Sequence, residues 1–181
     1  TNIEPIADNG TVTLGSSGDQ FTLATGAKSS FLYPAFEAYL SADQSVSDAT
    51  TTKIQFDTEV LDTDNCYDNS TNYRFTPTVA GKYFVFARMM ALQTTNSNLV
   101  NSINFIYKNG TVISRAQIDF QNNFCKNVSI DNNIILDMNG SSDYLEVFGM
   151  VNVSSGGSPR FYGDTAATNR WCRFGAYRIG S

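Results

Sequence analysis

The chain has 181 residues, which is enough for one ordinary domain with its own core plus a short appendage. Charged residues make up only 16%, aromatic residues make up 13%, and the net charge is -5. This balance favours many strands joined by polar turns over helices. The acidic charge argues against a nucleic-acid partner, and no apolar run is long enough to insert into a membrane.

The first 33 residues contain a short repeated unit. Val-Thr-Leu at 12–14 and Phe-Thr-Leu at 21–23 recur nine residues apart, and a glycine follows each copy closely. Units this short cannot bury their own apolar side chains and must stack on a neighbour. They resemble the β-structured stalks of phage tail fibres, so we predict a stalk over 1–33. An ordinary N-terminal hairpin is the alternative.

From residue 34 to the end, the sequence alternates apolar and polar side chains with a period of two. Asn109-Gly110 is a strong hairpin signal, and a loop rich in Asp and Asn spans 62–72. We predict about ten antiparallel strands in two sheets. The main predicted strand segments are 35–41, 54–57, 83–87, 102–107, 112–118, 128–138, 144–151 and 171–180.

The middle of the chain carries a series of family-like motifs, namely Phe56-Asp57-Thr58, Asp62, Tyr67-Asp68, Phe75-Thr76-Pro77 and Ala80-Gly81-Lys82-Tyr83. Their order resembles the globular head of complement C1q, a jelly-roll family related to tumour necrosis factor. The resemblance implies an all-β, antiparallel jelly-roll head over residues 34–181. It also implies three heads packed around a threefold axis. Such domains bind and assemble and do not usually catalyse reactions.

Two predicted strands carry aromatic residues on both faces. The segment 144–151 places Tyr144 and Phe148 opposite its core-facing side chains, and the last strand adds Tyr177. A second aromatic face needs a cover, because large apolar patches are rare on soluble monomers. We therefore predict Tyr144, Phe148 and Tyr177 at a homotrimer interface. The alternative is edge protection within one sandwich.

Binding is expected in loops, which vary freely on a rigid sandwich. The loops 62–72, 121–127 and 154–171 each combine polar residues with an aromatic residue that no strand pattern explains. Such rings could stack on a sugar while Asn, Asp and Arg bind its hydroxyl groups. The alternative is that the rings pack beneath their own loops. The candidate receptor-binding residues are Tyr67, Phe124, Tyr162, Arg170 and Trp171.

The chain offers little support for catalysis or a resident cofactor. Histidine is absent, which removes the commonest general base and zinc ligand. Asp62, Asp64 and Asp68 could supply oxygen ligands to calcium, although they lack the spacing of a calcium-binding hand. A solvated loop of Asx turns is the alternative. No other cofactor is expected.

The three cysteines are odd in number and have no close pairs. This favours three reduced thiols in a protein folded in a reducing cytoplasm. One disulfide bridge plus a free thiol is the alternative.

These observations favour a virion adhesin, the trimeric tip of a phage tail fibre or spike, folded in the host cytoplasm. Its partners would be other fibre components and a host-surface glycan or protein receptor. A secreted recognition module that binds carbohydrate or protein is a second possibility, although no Gly-X-Y collagen repeat occurs in these residues. A structural capsid or appendage protein is a third. A depolymerase is the enzymatic alternative, disfavoured because the chain is short for a long β-helix.

Overall fold

The computed structural model describes residues 33–93, 97–155 and 157–180. These residues contain thirteen strands and no helix, and so no helix that could cross a membrane. The strands are β1 (Ala35–Tyr39), β2 (Gln44–Ser45), β3 (Thr52–Lys53), β4 (Thr58–Asp62), β5 (Tyr67–Asp68), β6 (Arg74–Phe75), β7 (Gly81–Leu92), β8 (Leu99–Lys108), β9 (Thr111–Asp119), β10 (Asn127–Met138), β11 (Leu145–Val153), β12 (Arg160–Phe161) and β13 (Arg173–Gly180).

The strands form two antiparallel sheets. The first sheet has the order β2-β12-β7-β13-β1-β4, with β10 paired to β7, and the second has the order β5-β6-β11-β8-β9, with β3 paired to β11. This arrangement confirms the predicted all-β jelly-roll sandwich. The segment 54–57 is an exception, since it is buried through Ile54 and Phe56 but forms no strand. The predicted stalk over residues 1–33 lies, apart from Tyr33, outside the described residues.

The core follows from the alternation in the longest strand. In β7, Tyr83, Val85, Ala87, Met89 and Ala91 face the second sheet and are buried. An aromatic cluster fills one end of the sandwich, where the Phe36 ring centroid lies 4.4 Å from that of Phe75, 4.7 Å from Tyr67 and 4.8 Å from Phe174. Offset and edge-on ring pairs of this kind add to the stabilisation from burial.

Two buried asparagines connect the sheets through the core. The Asn104 amide on β8 donates to the Ala87 carbonyl at 2.8 Å and the Ile130 carbonyl at 3.2 Å. The Asn132 amide on β10 donates back to the Asn104 carbonyl at 3.0 Å, and Ser114 Oγ donates to Asn132 Oδ1 at 2.6 Å. Asn104 Oδ1 is buried without a protein partner, so this network is not fully satisfied.

The two ends of the sandwich carry different loops. The chain enters β1 at the end that also carries the loops 62–66, 109–110 and 139–144, which we call the proximal end. The opposite end, which we call the distal end, carries the loops 120–126 and 162–172. The two groups of loops are therefore separated by the length of the long strands.

Candidate functional site

The first sheet exposes aromatic and aliphatic side chains on its outward side. We call Phe84, Phe86, Ile135, Tyr177 and Ile179 the open face. Ile135 is 58% exposed, Ile179 is 38% exposed and Tyr177 is 36% exposed. The Phe84 ring centroid lies 5.4 Å from that of Tyr177 and 6.4 Å from that of Phe86. A contiguous patch of this kind marks an interaction surface on a soluble protein.

The strand register divides this side of the sheet into rows. Ile135 on β10 is the direct cross-strand partner of Phe84 on β7, and Phe84 is opposite Tyr177 on β13. We call these three residues the aromatic row. A second row crosses the sheet four residues further along β7. It contains Asp131 on β10, Arg88 on β7 and Arg173 on β13, and we call these three residues the charged row.

A depression of about 320 Å³ lies between the two rows. The Arg173 guanidinium stands over the Phe86 ring at 5.8 Å, and its Nε is buried without a hydrogen-bond partner. The depression is lined by Phe84, Phe86, Ala87, Asp131, Asn133, Arg173 and Tyr177. It therefore combines aromatic walls with one acidic and one basic side chain.

A second depression, of about 400 Å³, lies at the distal end of the same sheet, and we call it the distal pocket. Met90 and Leu92 from β7 supply its apolar part. Its polar part comes from the cation of Lys126 and the amide of Asn127, and Tyr162 adds an aromatic ring. This combination suits a polar ligand with an apolar surface, such as a sugar.

Four of the five predicted receptor-binding residues lie at this distal end. The Tyr162 ring centroid is 5.9 Å from that of Trp171, and both rings are partly exposed. Arg170 Nη1 lies 3.5 Å from Glu37 Oε1, and its guanidinium lies 5.9 Å from the centre of the Tyr39 ring. Phe124 is also partly exposed and lies in a distal loop, but it does not line the pocket.

One carboxylate organises the loop that carries Arg170 and Trp171. Asp164 Oδ2 accepts hydrogen bonds from the backbone amides of Arg170 at 2.7 Å and Asn169 at 2.5 Å. These amides, led by that of Arg170, lower the pKa of Asp164 below its ordinary value. The carboxylate is therefore ionised at neutral pH, and its hydrogen bonds to backbone amides stabilise the fold of the loop.

Tyr67 belongs to the core and not to the surface. The side chain is 5% exposed, and its hydroxyl donates to the Phe56 carbonyl at 2.9 Å. The ring packs on Phe36, and burial raises the pKa of the Tyr67 hydroxyl. The alternative that such rings pack beneath their own loops therefore describes Tyr67. A ring in this position has only a small part of its edge available to a receptor.

The Asp-rich loop is a set of hydrogen-bonded turns. Asp62 accepts from the amides of Cys66 at 3.1 Å and Tyr67 at 2.8 Å. Asp68 accepts from the amides of Thr71 and Asn72, and these bonds lower its pKa. Asp64 accepts from the Thr63 hydroxyl. Within the described residues, no three acidic, histidine or cysteine side chains are grouped for a metal ion, so Asp62, Asp64 and Asp68 are not brought together as a calcium site.

A further depression, of about 520 Å³, also lies at this proximal end. Its lining is mostly polar and includes Glu59, Asp68, Asn69 and Arg74. Burial and the nearby Asp62 raise the pKa of Glu59. Asp68 is engaged by its own loop, and the Arg74 guanidinium stands 4.7 Å from the centre of the Tyr144 ring.

The three predicted interface residues lie in three separate surroundings. Tyr177 belongs to the open face of the first sheet. Phe148 points outward from the second sheet, where its ring lies 4.3 Å from Tyr107. Tyr144 precedes β11 and packs against Arg74. One continuous interface across a single sheet face cannot contain both Tyr177 and Phe148, because they lie on opposite outer sides of the sandwich.

Comparisons with known proteins fit this geometry. The sequence matches no protein-family model, and no curated protein matches it significantly. Many solved structures match in fold, and two of them show the extent of the likeness. The tumour necrosis factor Eiger from S. frugiperda has a TM-score of 0.59 at 10% identity, covering 83% of this chain and 94% of that one. The globular domain of the zebrafish complement 1qA protein has a TM-score of 0.55 at 11% identity, covering 81% and 97%.

The protein has the C1q/TNF-like fold. At these identities the likeness concerns the fold and not the ligand. Within that fold, sequence reasoning found Tyr177, Tyr162 and Trp171 but missed the open face as a unit. The outward positions of β7, with Phe84 and Phe86 alternating with core residues, were the available signal. The charged row was not visible, because it depends on the register between β7, β10 and β13.

Proposed function

We propose that this protein is a virion adhesin, the trimeric head of a phage tail fibre or spike that recognises the host surface. The observation that carries the proposal is a C1q/TNF-like sandwich with an uncovered aromatic face on one sheet. Domains with this fold typically form trimers. Packing the open faces of three copies together would remove their apolar side chains from water. Each Å² of apolar surface buried in this way stabilises the assembly by about 25 cal/mol.

Receptor recognition is proposed at the distal end. The distal pocket opens beside Tyr162 and Trp171, whose rings can stack on a sugar. Lys126 and Asn127 can bind hydroxyl or carboxylate groups on the same ligand. The loop is held by Asp164, so little conformational entropy would be lost on binding. We propose binding without chemical turnover.

The virion setting is supported by two further features. The repeated Val-Thr-Leu and Phe-Thr-Leu units resemble a fibre stalk, which would connect the head to other fibre components. Cys66, Cys125 and Cys172 are free thiols, and proteins that fold in a reducing cytoplasm keep their cysteines in this state.

To test this function, binding of the fluorescently labelled protein is measured on a panel of bacterial cells and on a glycan array. Tyr162→Ala and Trp171→Ala should each lower binding at least tenfold, because ring stacking is lost. Tyr144→Ala is the matched control, since it removes a ring at the proximal end. Wild-type binding by both distal variants would contradict the proposed site. Release of shortened glycan would contradict binding without turnover.

A further inference from the structure

We infer that Asp131 of one copy pairs with Arg88 and Arg173 of the next copy around the trimer. This inference rests on the proposed trimer and specifies how its subunits recognise each other. It starts from a local imbalance of charge. Arg88 and Arg173 are direct cross-strand partners on the outward side of the first sheet. Like charges directly opposite each other destabilise a sheet unless a negative group compensates them.

Compensation within one copy is incomplete: Asp131 is directly opposite Arg88, whereas the two residues opposite Arg173 are Arg88 and Tyr39. In the described part of the chain, neither guanidinium forms an ion pair. Arg88 Nε donates only to Ser129 Oγ, at 2.9 Å. Arg173 Nε is buried without a partner, although its guanidinium stands over the Phe86 ring. Asp131 is exposed on the neighbouring strand, opposite Arg88 in register, and forms no ion pair with it.

Asp131 is exposed on an edge strand and is therefore accessible to a partner copy. Its strand, β10, pairs only with β7 and is therefore an edge of the first sheet. Arg88 and Arg173 lie on interior strands of that sheet. When the edge of one copy packs on the face of the next, the contact is heterologous, and repeating it closes a ring. Asp131 then reaches the two arginines from outside.

The spacing of the rows supports the same contact. Asp131 and Ile135 are four residues apart on β10, about 13 Å in a strand, and point to the same side. Arg88 and Phe84 have the same separation on β7. If the copies are related by rotation about an axis parallel to the strands, each row lies at the same position along that axis in every copy. Asp131 therefore meets the charged row of the next copy, and Ile135 meets its aromatic row.

This pairing also addresses the repulsion between copies. Each copy carries a net charge of -5, which opposes association. Buried apolar area alone does not select one arrangement of three sheets. Opposite charges at matched heights do select one, because a shift along the strands would leave the arginines unpaired.

Charge reversal in the full 181-residue protein tests the inference, with native mass spectrometry and light scattering as the measurements. Asp131→Arg and Arg173→Asp should each raise the concentration at which trimers dissociate, on the order of a hundredfold or more. The double variant carrying both changes should recover at least tenfold relative to either single variant. Asp119→Arg is the matched control, because it makes the same change at the end of the second sheet's edge strand, β9.

The outcomes separate the two proposals. A wild-type trimer whose stability is unchanged by Asp131→Arg, or a double variant no better than the single variants, would overturn this pairing and leave the adhesin proposal standing. A wild-type protein that is monomeric at all accessible concentrations would overturn both. Far-ultraviolet circular dichroism checks folding. If a reversal variant unfolds, Asp131→Asn and Arg173→Met replace it, and wild-type assembly by both would also overturn the pairing.

Discussion

The two outer faces of the sandwich both carry aromatic residues, but only one of them satisfies its own charges. On the second sheet, the Tyr107 and Phe148 rings lie 4.3 Å apart, and Lys53 Nζ stands 5.7 Å from the centre of the Phe148 ring. The same Lys53 forms a 2.5 Å ion pair with Glu146. This face is therefore complete within one copy.

The first sheet lacks these internal partners. Its open face keeps Ile135, Tyr177 and Ile179 at least 36% exposed. Neither of the paired arginines beside it forms an ion pair within the described residues, although Asp131 is directly opposite Arg88. Counting aromatic residues would not separate the two faces. What separates them is whether the cation that stands over a ring is also ion-paired within one copy, as Lys53 is and Arg173 is not. This difference is the reason why we propose the first sheet as the assembly surface.

The largest expected effect on this difference between the two faces comes from a charge placed in the aromatic row. Tyr177→Asp should abolish the trimer, because three unpaired carboxylates would be buried in one interface, each at a cost of several kcal/mol. Val112→Asp is the control, since Val112 is 43% exposed on β9 of the second sheet. Light scattering measures both. A trimeric Tyr177→Asp protein would show that the open face is not the interface.

The internal pairing of the second face can be broken directly. Lys53→Met removes the cation from Glu146, whose side chain is only 9% exposed. Breaking a partly buried pair should lower the free energy of unfolding by about 2–3 kcal/mol and leave the trimer intact. Denaturant unfolding measures the loss. Adding Glu146→Gln should restore most of it, and failure to do so would show that Lys53 stabilises the face by another contact.

Phe148→Asp should have a smaller effect on stability and none on assembly. The ring is partly exposed and packs on Tyr107, so its loss should cost about 1–2 kcal/mol. The sequence alone predicted Phe148 at the trimer interface, and this variant tests that prediction against the structure. Dissociation into folded monomers would favour the sequence-based prediction.

The smallest effect is expected from acid, because the carboxylates with lowered pKa values lie in loops outside both faces. The Lys108 ammonium, 2.8 Å from Asp143, is the main cause that lowers the pKa of Asp143. A lowered pKa stabilises the folded protein above the ordinary Asp pKa of about 3.9, and the contribution is lost as pH falls below it. Asp143→Asn should therefore flatten the decline in thermal midpoint between about pH 5 and pH 3. An unchanged decline would exclude Asp143 as a contributor.

The sequence predicted much of the fold because strands leave a local signal. Alternation along β7 and the Asn109-Gly110 turn between β8 and β9 were visible directly. The distribution of aromatics was harder to predict. Alternation shows that Phe148 and Tyr177 face away from the core, but it does not show which sheet each strand joins. That information is in the pairing of distant strands, such as β13 with β7.

The candidate site was predicted in part for the same reason. Tyr162 and Trp171 are nine residues apart on one loop, and the structure brings them together. Tyr67 lies in an equally polar segment, yet its ring is buried because Asp62 folds the loop beneath it through backbone amides. Local composition does not reveal which direction a ring takes from a turn. The distal pocket also needs Met90 and Leu92, which come from a strand far away in sequence.

The interior amides of Asn104 and Asn132 have a consequence for how this head can evolve. They align the two sheets from within, through hydrogen bonds to backbone carbonyls that no loop residue provides. Apolar cores tolerate sliding between packed layers, whereas directional bonds between fixed positions do not. The unsatisfied Asn104 oxygen is a cost in stability accepted for this alignment. The distal loops could therefore change in sequence, and with them the proposed receptor specificity, while the scaffold beneath them kept its shape.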